Sequence, residues 1–188
     1  MIRGELVNLR AVDRPDATLL HRWLNEPDVM VGWGVPDQTI SLTEVQRRLE
    51  GWLADEALLG RPVAFIVETL AAEAVGLLLV AHLPPEPRGA ELSLLIGESS
   101  RWGEGLGTDA LQTLLGVCFE TWNLHRVALR CEASNDRARR LYTRCGFVQE
   151  GILRQASFSS GAYGDQILFG LLATEWNGFP VASAPSPP

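Results

Sequence analysis

Trp102-Gly103-Glu104-Gly105-Leu106-Gly107-Thr108 joins a strand-like run, Ala90 to Gly97, to a helical pattern reaching about Thr121. A helix start leaves about four backbone N–H groups unpaired and carries a partial positive charge, so it holds an anion without any charged side chain. Gly103, Gly105 and Gly107 let consecutive N–H groups approach one pyrophosphate. Three readings stand at this point: a pyrophosphate cradle, a dinucleotide-binding turn, and a plain loop whose glycines serve packing. The dinucleotide reading has Glu132, at the end of the following strand, as a ribose-binding acid. It lacks the third glycine of G-x-G-x-x-G, however, and Glu98-Ser99-Ser100-Arg101-Trp102 lengthens the turn.

Composition narrows the chemistry around this loop. A chain of 188 residues with 46% hydrophobic and 21% charged residues suits one globular domain, expected over residues 1–180 and followed by a flexible, proline-rich tail over 181–188. All 16 basic residues are arginine, which excludes a Walker-type phosphate lysine and a Schiff-base lysine. The net charge of −7, with no basic run longer than Arg139-Arg140, argues against nucleic acid as a partner. Cys118, Cys131 and Cys145 are too scattered for a disulfide framework or a zinc site, and His21, His82 and His125 show no metal spacing, so no metal is expected. The N-terminus lacks a signal-peptide stretch and no apolar run approaches roughly 18 residues. The cytosol is therefore the expected compartment, and no membrane partner is expected.

Outward from the loop, the pattern alternates recognisable elements. Leu6 to Val12 reads as an edge strand, and Asp13 caps a helix carrying Leu19, Leu20, Trp23 and Leu24, which Pro27 ends. Ser41 caps a second helix with Leu42, Val45, Leu49, Trp52 and Leu53 on one face. Val63 to Thr69, Val75 to Leu83 and Ala90 to Gly97 form an antiparallel meander with turns at Ala72-Glu73-Ala74 and Pro84-Pro85-Glu86-Pro87. After the loop and its helix come a strand, His125 to Cys131, a helix from about Asn135 to Cys145 closed by Gly146, and strands Phe147 to Arg154 and Gln166 to Leu171.

Asn135, Ala138 and Tyr142 form N-x-x-A-x-x-x-Y, followed by Cys145-Gly146-Phe147 and Glu150-Gly151. With the loop, Leu9-Arg10, Trp23-Leu24-Asn25-Glu26-Pro27 and Gly164-Asp165-Gln166, this pattern resembles the GNAT superfamily of acyl-CoA N-acyltransferases over nearly the whole chain. Trp102, where the superfamily usually has Gln or Arg, resembles the branch of ribosomal-protein N-terminal and spermidine acetyltransferases. The resemblance implies an α/β (α+β) fold with a mixed, mostly antiparallel sheet splayed at the CoA site and flanked by helices. It implies acetyl-CoA as co-substrate, an amine acceptor that is a protein N-terminus or a small polyamine-like molecule, and a homodimer as the assembly to test. The backbone of Leu94, Leu95 and Ile96 would bond the pantetheine arm, Trp102 to Thr108 the pyrophosphate, Asn135 with Ala138 the pantetheine, and Arg139 or Arg140 the 3′-phosphate. Asn135 also reads as a plain helix N-cap.

Acetyl transfer to an amine needs a neutral nitrogen, a stabilised oxyanion and a proton for the departing thiolate. Tyr142 is the candidate acid, a phenol of pKa near 10 against a thiol near 8.5, with core packing as the alternative. Glu91 is the candidate base: it lies 11 residues before Trp102, the spacing at which the related enzymes place a catalytic glutamate, and a solvent-facing strand residue is the alternative. Backbone N–H groups on the splayed strand are the expected oxyanion donors. Cys145 reads as packing rather than as an acyl carrier. Trp33, with Glu26, Asp28 and Asp37 around it, is the candidate wall of an acceptor pocket, whereas Trp52 reads as core.

Overall fold

The computed structural model describes residues 1–33, 39–83 and 88–178. Gly34, Asp37, the turn Pro84-Pro85-Glu86-Pro87, the His82 side chain and the tail over 181–188 lie outside the described residues. The elements run β1 (Ile2–Arg3), β2 (Val7–Ala11), α1 (Ala17–Trp23), α2 (Pro27–Val31), α3 (Leu42–Leu59), β3 (Ala64–Thr69), β4 (Ala74–Leu83), β5 (Gly89–Ile96), α4 (Leu106–Gly116), β6 (Arg126–Glu132), α5 (Asp136–Arg144), β7 (Val148–Ser159) and β8 (Ala162–Leu172).

The strands form one eight-stranded sheet in the order β1-β2-β3-β4-β5-β6-β8-β7. Each neighbouring pair is antiparallel except β5 and β6, which are parallel and pair only from Gly89 to Glu91 against Arg126 to Ala128. Beyond Glu91 and Ala128 the two strands diverge, and the sheet is splayed there.

Every residue of β3 is buried, because both faces of the sheet are covered. Phe65 and Val67 enter a core with Leu111, Leu114 and Tyr142 on the α4/α5 side. Ala64 and Ile66 enter a second core with Leu20, Trp23, Val45 and Leu49 on the α1/α3 side. Strand alternation thus assigns neighbouring residues to opposite layers.

The caps explain where the helices begin. Ser41 Oγ accepts the Glu44 N–H at 3.1 Å at the start of α3, and Asn135 Oδ1 accepts the Ala138 N–H at 3.0 Å at the start of α5. Asp13 caps a short 3-10 turn, Arg14–Asp16, that leads into α1.

Three sequence expectations need correction. Pro27 does not end the first helix: α1 stops at Trp23, and Pro27 opens α2 in the first-turn position, where its missing N–H costs nothing. The Leu6-to-Val12 strand is not at the edge, since β1 pairs outside it. The last two strands are far longer than Phe147–Arg154 and Gln166–Leu171, continuing as a hairpin through Ser160 and Gly161. Gln155 to Ser159 are largely exposed, and the register shift between Leu153 and Ser157 puts the short alternation of Ala156 and Phe158 out of phase with the run before it.

Candidate active site

The divergence of β5 and β6 opens a cleft of about 500 Å³ that passes through the sheet. Leu94, Cys131, Ala138, Leu141 and Tyr142 line it from the α4/α5 side, and Glu91, Leu95, Arg130, Glu132 and Gln166 from the other. Both layers of the fold therefore present side chains to one cavity.

On β5, Gly97 donates its N–H to the Val75 carbonyl at 2.9 Å, and the antiparallel register pairs Leu95 with Leu77. Alternation then turns the peptide groups of Leu94 and Ile96 toward the cleft and those of Leu95 toward β4. Only two of the three expected pantetheine-binding residues thus offer backbone groups. Their carbonyls already accept indole N–H groups, Leu94 O from Trp33 Nε1 at 3.3 Å and Ile96 O from Trp102 Nε1 at 2.9 Å.

The loop delivers the start of α4 to the same cavity. Gly105 has φ 84° and no side chain among the described residues caps the helix, and Gly103, Gly105, Leu106, Gly107 and Thr108 line the cleft there. A Cβ on Gly107 would lie 3.1 Å from Leu141 Cδ1 and 3.5 Å from Ile96 Cγ1 and Leu94 Cδ2, so glycine here lets α4 sit against β5 and α5. Asp109, on the next half-turn, is 6% exposed and accepts the N–H groups of Glu5, Leu6 and Val7 at 3.2, 2.8 and 2.9 Å. The N-terminal hairpin is thereby tied to the helix that carries the loop.

Tyr142 packs against Phe169 and Phe147, with ring centroids 5.5 and 6.2 Å away. Burial, with Cys131 and Cys145 nearby, raises its pKa well above the usual phenol value. Glu91 takes a bidentate grip from Arg130, Nε–H to Oε1 at 2.5 Å and Nη2–H to Oε2 at 3.0 Å. Asn135 caps α5 and also donates Nδ2–H to Gly32 O at 3.1 Å, bridging to the end of α2.

Four expected site residues stand apart from the cleft. Glu104 points outward to Arg101, Nε to Oε1 2.8 Å. Arg139 turns to Asp136 at 3.0 Å and to the Ala133 carbonyl; its neighbours Arg137, Arg140 and Arg144 line the cavity instead. Glu26 and Asp28 are exposed, because α2 turns Val29 and Met30 inward and its acids to solvent. Trp33 does line the cleft, and Trp52 packs on the α1/α3 core.

Sequence reasoning did not single out Arg137, Arg130 or Gln166. Arg137 sits 3.5 Å over the Trp102 ring, a contact between elements with no local signature. Arg130 and Glu132 alternate onto the face of Glu91, which becomes visible only once the β5–β6 register is known. Cys118, Cys131 and Cys145 are buried free thiols, of which only Cys131 reaches the cavity. Among the described residues no group of three His, Cys, Asp or Glu side chains is placed to hold a metal ion, and no helix is long and apolar enough to cross a membrane.

The arrangement fits an acyl-CoA thioester: a glycine-rich helix start at α4, backbone N–H groups on a splayed strand, and a phenol in the same cleft. Comparison with known proteins agrees. The family described as acetyltransferase (GNAT) domain matches residues 7–148. Spermidine N(1)-acetyltransferase of Vibrio cholerae is 28% identical over 159 residues, covering 85% of this chain and 88% of the relative. Ribosomal-protein-serine acetyltransferase of Escherichia coli is 31% identical over 97 residues, covering 52% of this chain and 54% of the relative. The crystal structure of the Vibrio cholerae spermidine enzyme with CoA and spermine superposes with a TM-score of 0.80 at 26% identity, over 92% of this chain and 98% of that one. The chain belongs to the GNAT family and is an acetyl-CoA-dependent N-acetyltransferase.

Proposed function

We propose that this chain moves the acetyl group directly to a primary amine, a protein N-terminus or a polyamine-like molecule, within a ternary complex. The observation that carries this reading is the cleft through the splayed sheet, which gives the two substrates access from opposite faces to one point. Tyr142, a phenol that carries its proton at neutral pH, is the acid for the departing thiolate. Leu94 and Ile96 offer backbone to the pantetheine arm, and the Gly103-to-Thr108 segment cradles the pyrophosphate. Arg137, Arg140 and Arg144 supply cations for the phosphates. Direct transfer is favoured over an acyl-enzyme because burial pushes the one cleft thiol, Cys131, up to about 11, leaving it protonated and a poor nucleophile.

The same reading takes residues 1–180 as one catalytic domain acting in the cytosol. A homodimer is supported by the exposed apolar residues Val148, Ile152, Phe158 and Tyr163 on the β7–β8 hairpin. The test is incubation with acetyl-CoA and either spermidine or a short serine-initiated peptide, following free thiol and the mass of the amine. An acetylated amine with equal thiol release is expected. Acetyl-CoA binding without thiol release from any amine favours a CoA-sensing role instead.

A further inference from the structure

Two carboxylates reach the acceptor side of the cleft, and they differ in what holds them. Both oxygens of Glu91 are bound by the Arg130 guanidinium, so taking up a proton there means breaking a bidentate ion pair. Glu132 is 8% exposed and among the described residues is held only by neutral donors, Gln166 Nε2 to Oε1 at 2.9 Å and Ser157 Oγ to Oε2 at 2.5 Å. A carboxylate offers about four lone-pair positions. Two are therefore left after these bonds, and no cation pairs with Glu132 among the described residues. The site is built tightly around it: a Cβ on Gly164 would fall 2.8 Å from Ser157 Oγ and 3.1 Å from Glu132 Oε2.

The strand geometry places this carboxylate opposite the acid. Cys131 joins the core that contains Tyr142, and the next residue, Glu132, points to the other face, while Glu132 and Tyr142 both line the cavity. An amine entering the opening between β5 and β6 meets Glu132 from one face and Tyr142 from the other.

We infer that Glu132, rather than Glu91, receives the acceptor's ammonium group and takes its proton, with Ser157 and Gln166 as positioning residues. This rests on the transfer reading above. One ammonium proton passes to a Glu132 oxygen, and the freed nitrogen lone pair forms the C–N bond to the acetyl carbon. As the carbonyl re-forms, the C–S bond breaks with its electron pair on sulfur, which takes the Tyr142 phenol proton. The remaining excess proton on nitrogen returns through solvent to the Tyr142 oxygen, and Glu132 releases its proton to water. One proton is released per acetyl group transferred.

The experiment compares wild type, Glu132→Gln and Glu91→Gln on spermidine, on the serine-initiated peptide, and on methoxyamine, which is already neutral at the assay pH. Glu132→Gln is expected to lower kcat/KM at least about a hundredfold toward spermidine or the peptide, whichever wild type accepts, but less than about threefold toward methoxyamine. Its acetyl-CoA affinity by calorimetry should stay within about twofold of wild type, and Glu91→Gln should lose less than about tenfold on every amine. The inference is overturned if Glu132→Gln keeps more than about a third of wild-type kcat/KM on the ammonium substrate. It is equally overturned by equal losses on methoxyamine, which mark a structural role. Should Glu132→Gln not fold, Glu132→Asp is read the same way, with a loss of about tenfold expected on the ammonium substrate alone. A wild-type chain that acetylates no amine overturns the transfer reading and this inference together; an active wild type with an active Glu132→Gln overturns this inference only.

Discussion

Arg137 lays its guanidinium carbon 3.5 Å from the centroid of the Trp102 ring. Burial lowers its pKa, and it has no carboxylate partner among the described residues, so the indole face is its main compensation. A half-desolvated cation without a counter-charge, beside the uncapped start of α4, is poised for an anion. Arg137→Ala is expected to weaken acetyl-CoA binding about ten- to a hundredfold, the worth of a charged hydrogen bond, with kcat changed less than about twofold. Calorimetric titration with acetyl-CoA, together with steady-state kinetics, checks it.

Tyr142→Phe removes the phenol and leaves the ring contacts with Phe147 and Phe169. Turnover should fall roughly ten- to a thousandfold while acetyl-CoA affinity stays within about twofold. Unchanged turnover takes the phenol out of the mechanism.

Asp109 gathers three backbone N–H groups of the N-terminal hairpin onto the first turn of α4. Asp109→Ala leaves donors unpaired, that of Val7 in a buried position, and is expected to cost about 2–4 kcal/mol. Urea unfolding monitored by circular dichroism measures it. Because the same turn carries the loop, acetyl-CoA affinity should fall in the fraction that remains folded.

Stability should decline toward alkaline pH. Burial pushes Cys118 and Cys145 from 9.0 up to about 12 and Cys131 up to about 11, and it also raises Tyr142. Below pH 9 both states keep these protons. Between the ordinary and the folded values the unfolded chain binds fewer protons than the fold, so stability falls as pH rises. Calorimetric melting across this window should show a falling Tm, with a shallower slope in Cys118→Ala. At the acid end, hydrogen bonds from Arg22 and Arg126 lower the pKa of Glu98 and Glu150. Their contribution is present above the ordinary 4.5 and is lost as pH falls below it.

The parts of the site that could be read from the sequence are those whose geometry is local. Glycines at alternate positions before a helix state an anion site, Ser41 and Asn135 are caps within three residues of their partners, and the meander follows from strand-like runs separated by turn residues. What escaped is set by pairing between distant segments. The Glu91–Arg130 ion pair depends on where a parallel strand stops, and the Arg137–Trp102 stack on how α5 approaches the loop. Glu26 and Asp28 look like pocket acids only until the short α2 turns them outward. The hairpin beyond Arg154 is held by cross-strand pairing and the Phe158–Tyr163 ring contact rather than by a buried face, and the register shift before Ser157 breaks the phase of the pattern that leads into it.

The splay has a further consequence, for solubility. Where β5 and β6 part, each strand presents an unpaired edge, and such an edge invites any other extended chain to add to the sheet. Here both edges face inward across a cavity, and the indoles of Trp33 and Trp102 cover two carbonyls of β5. The protein keeps these two unpaired stretches of backbone where a long, flexible molecule can thread in and another copy of the sheet cannot.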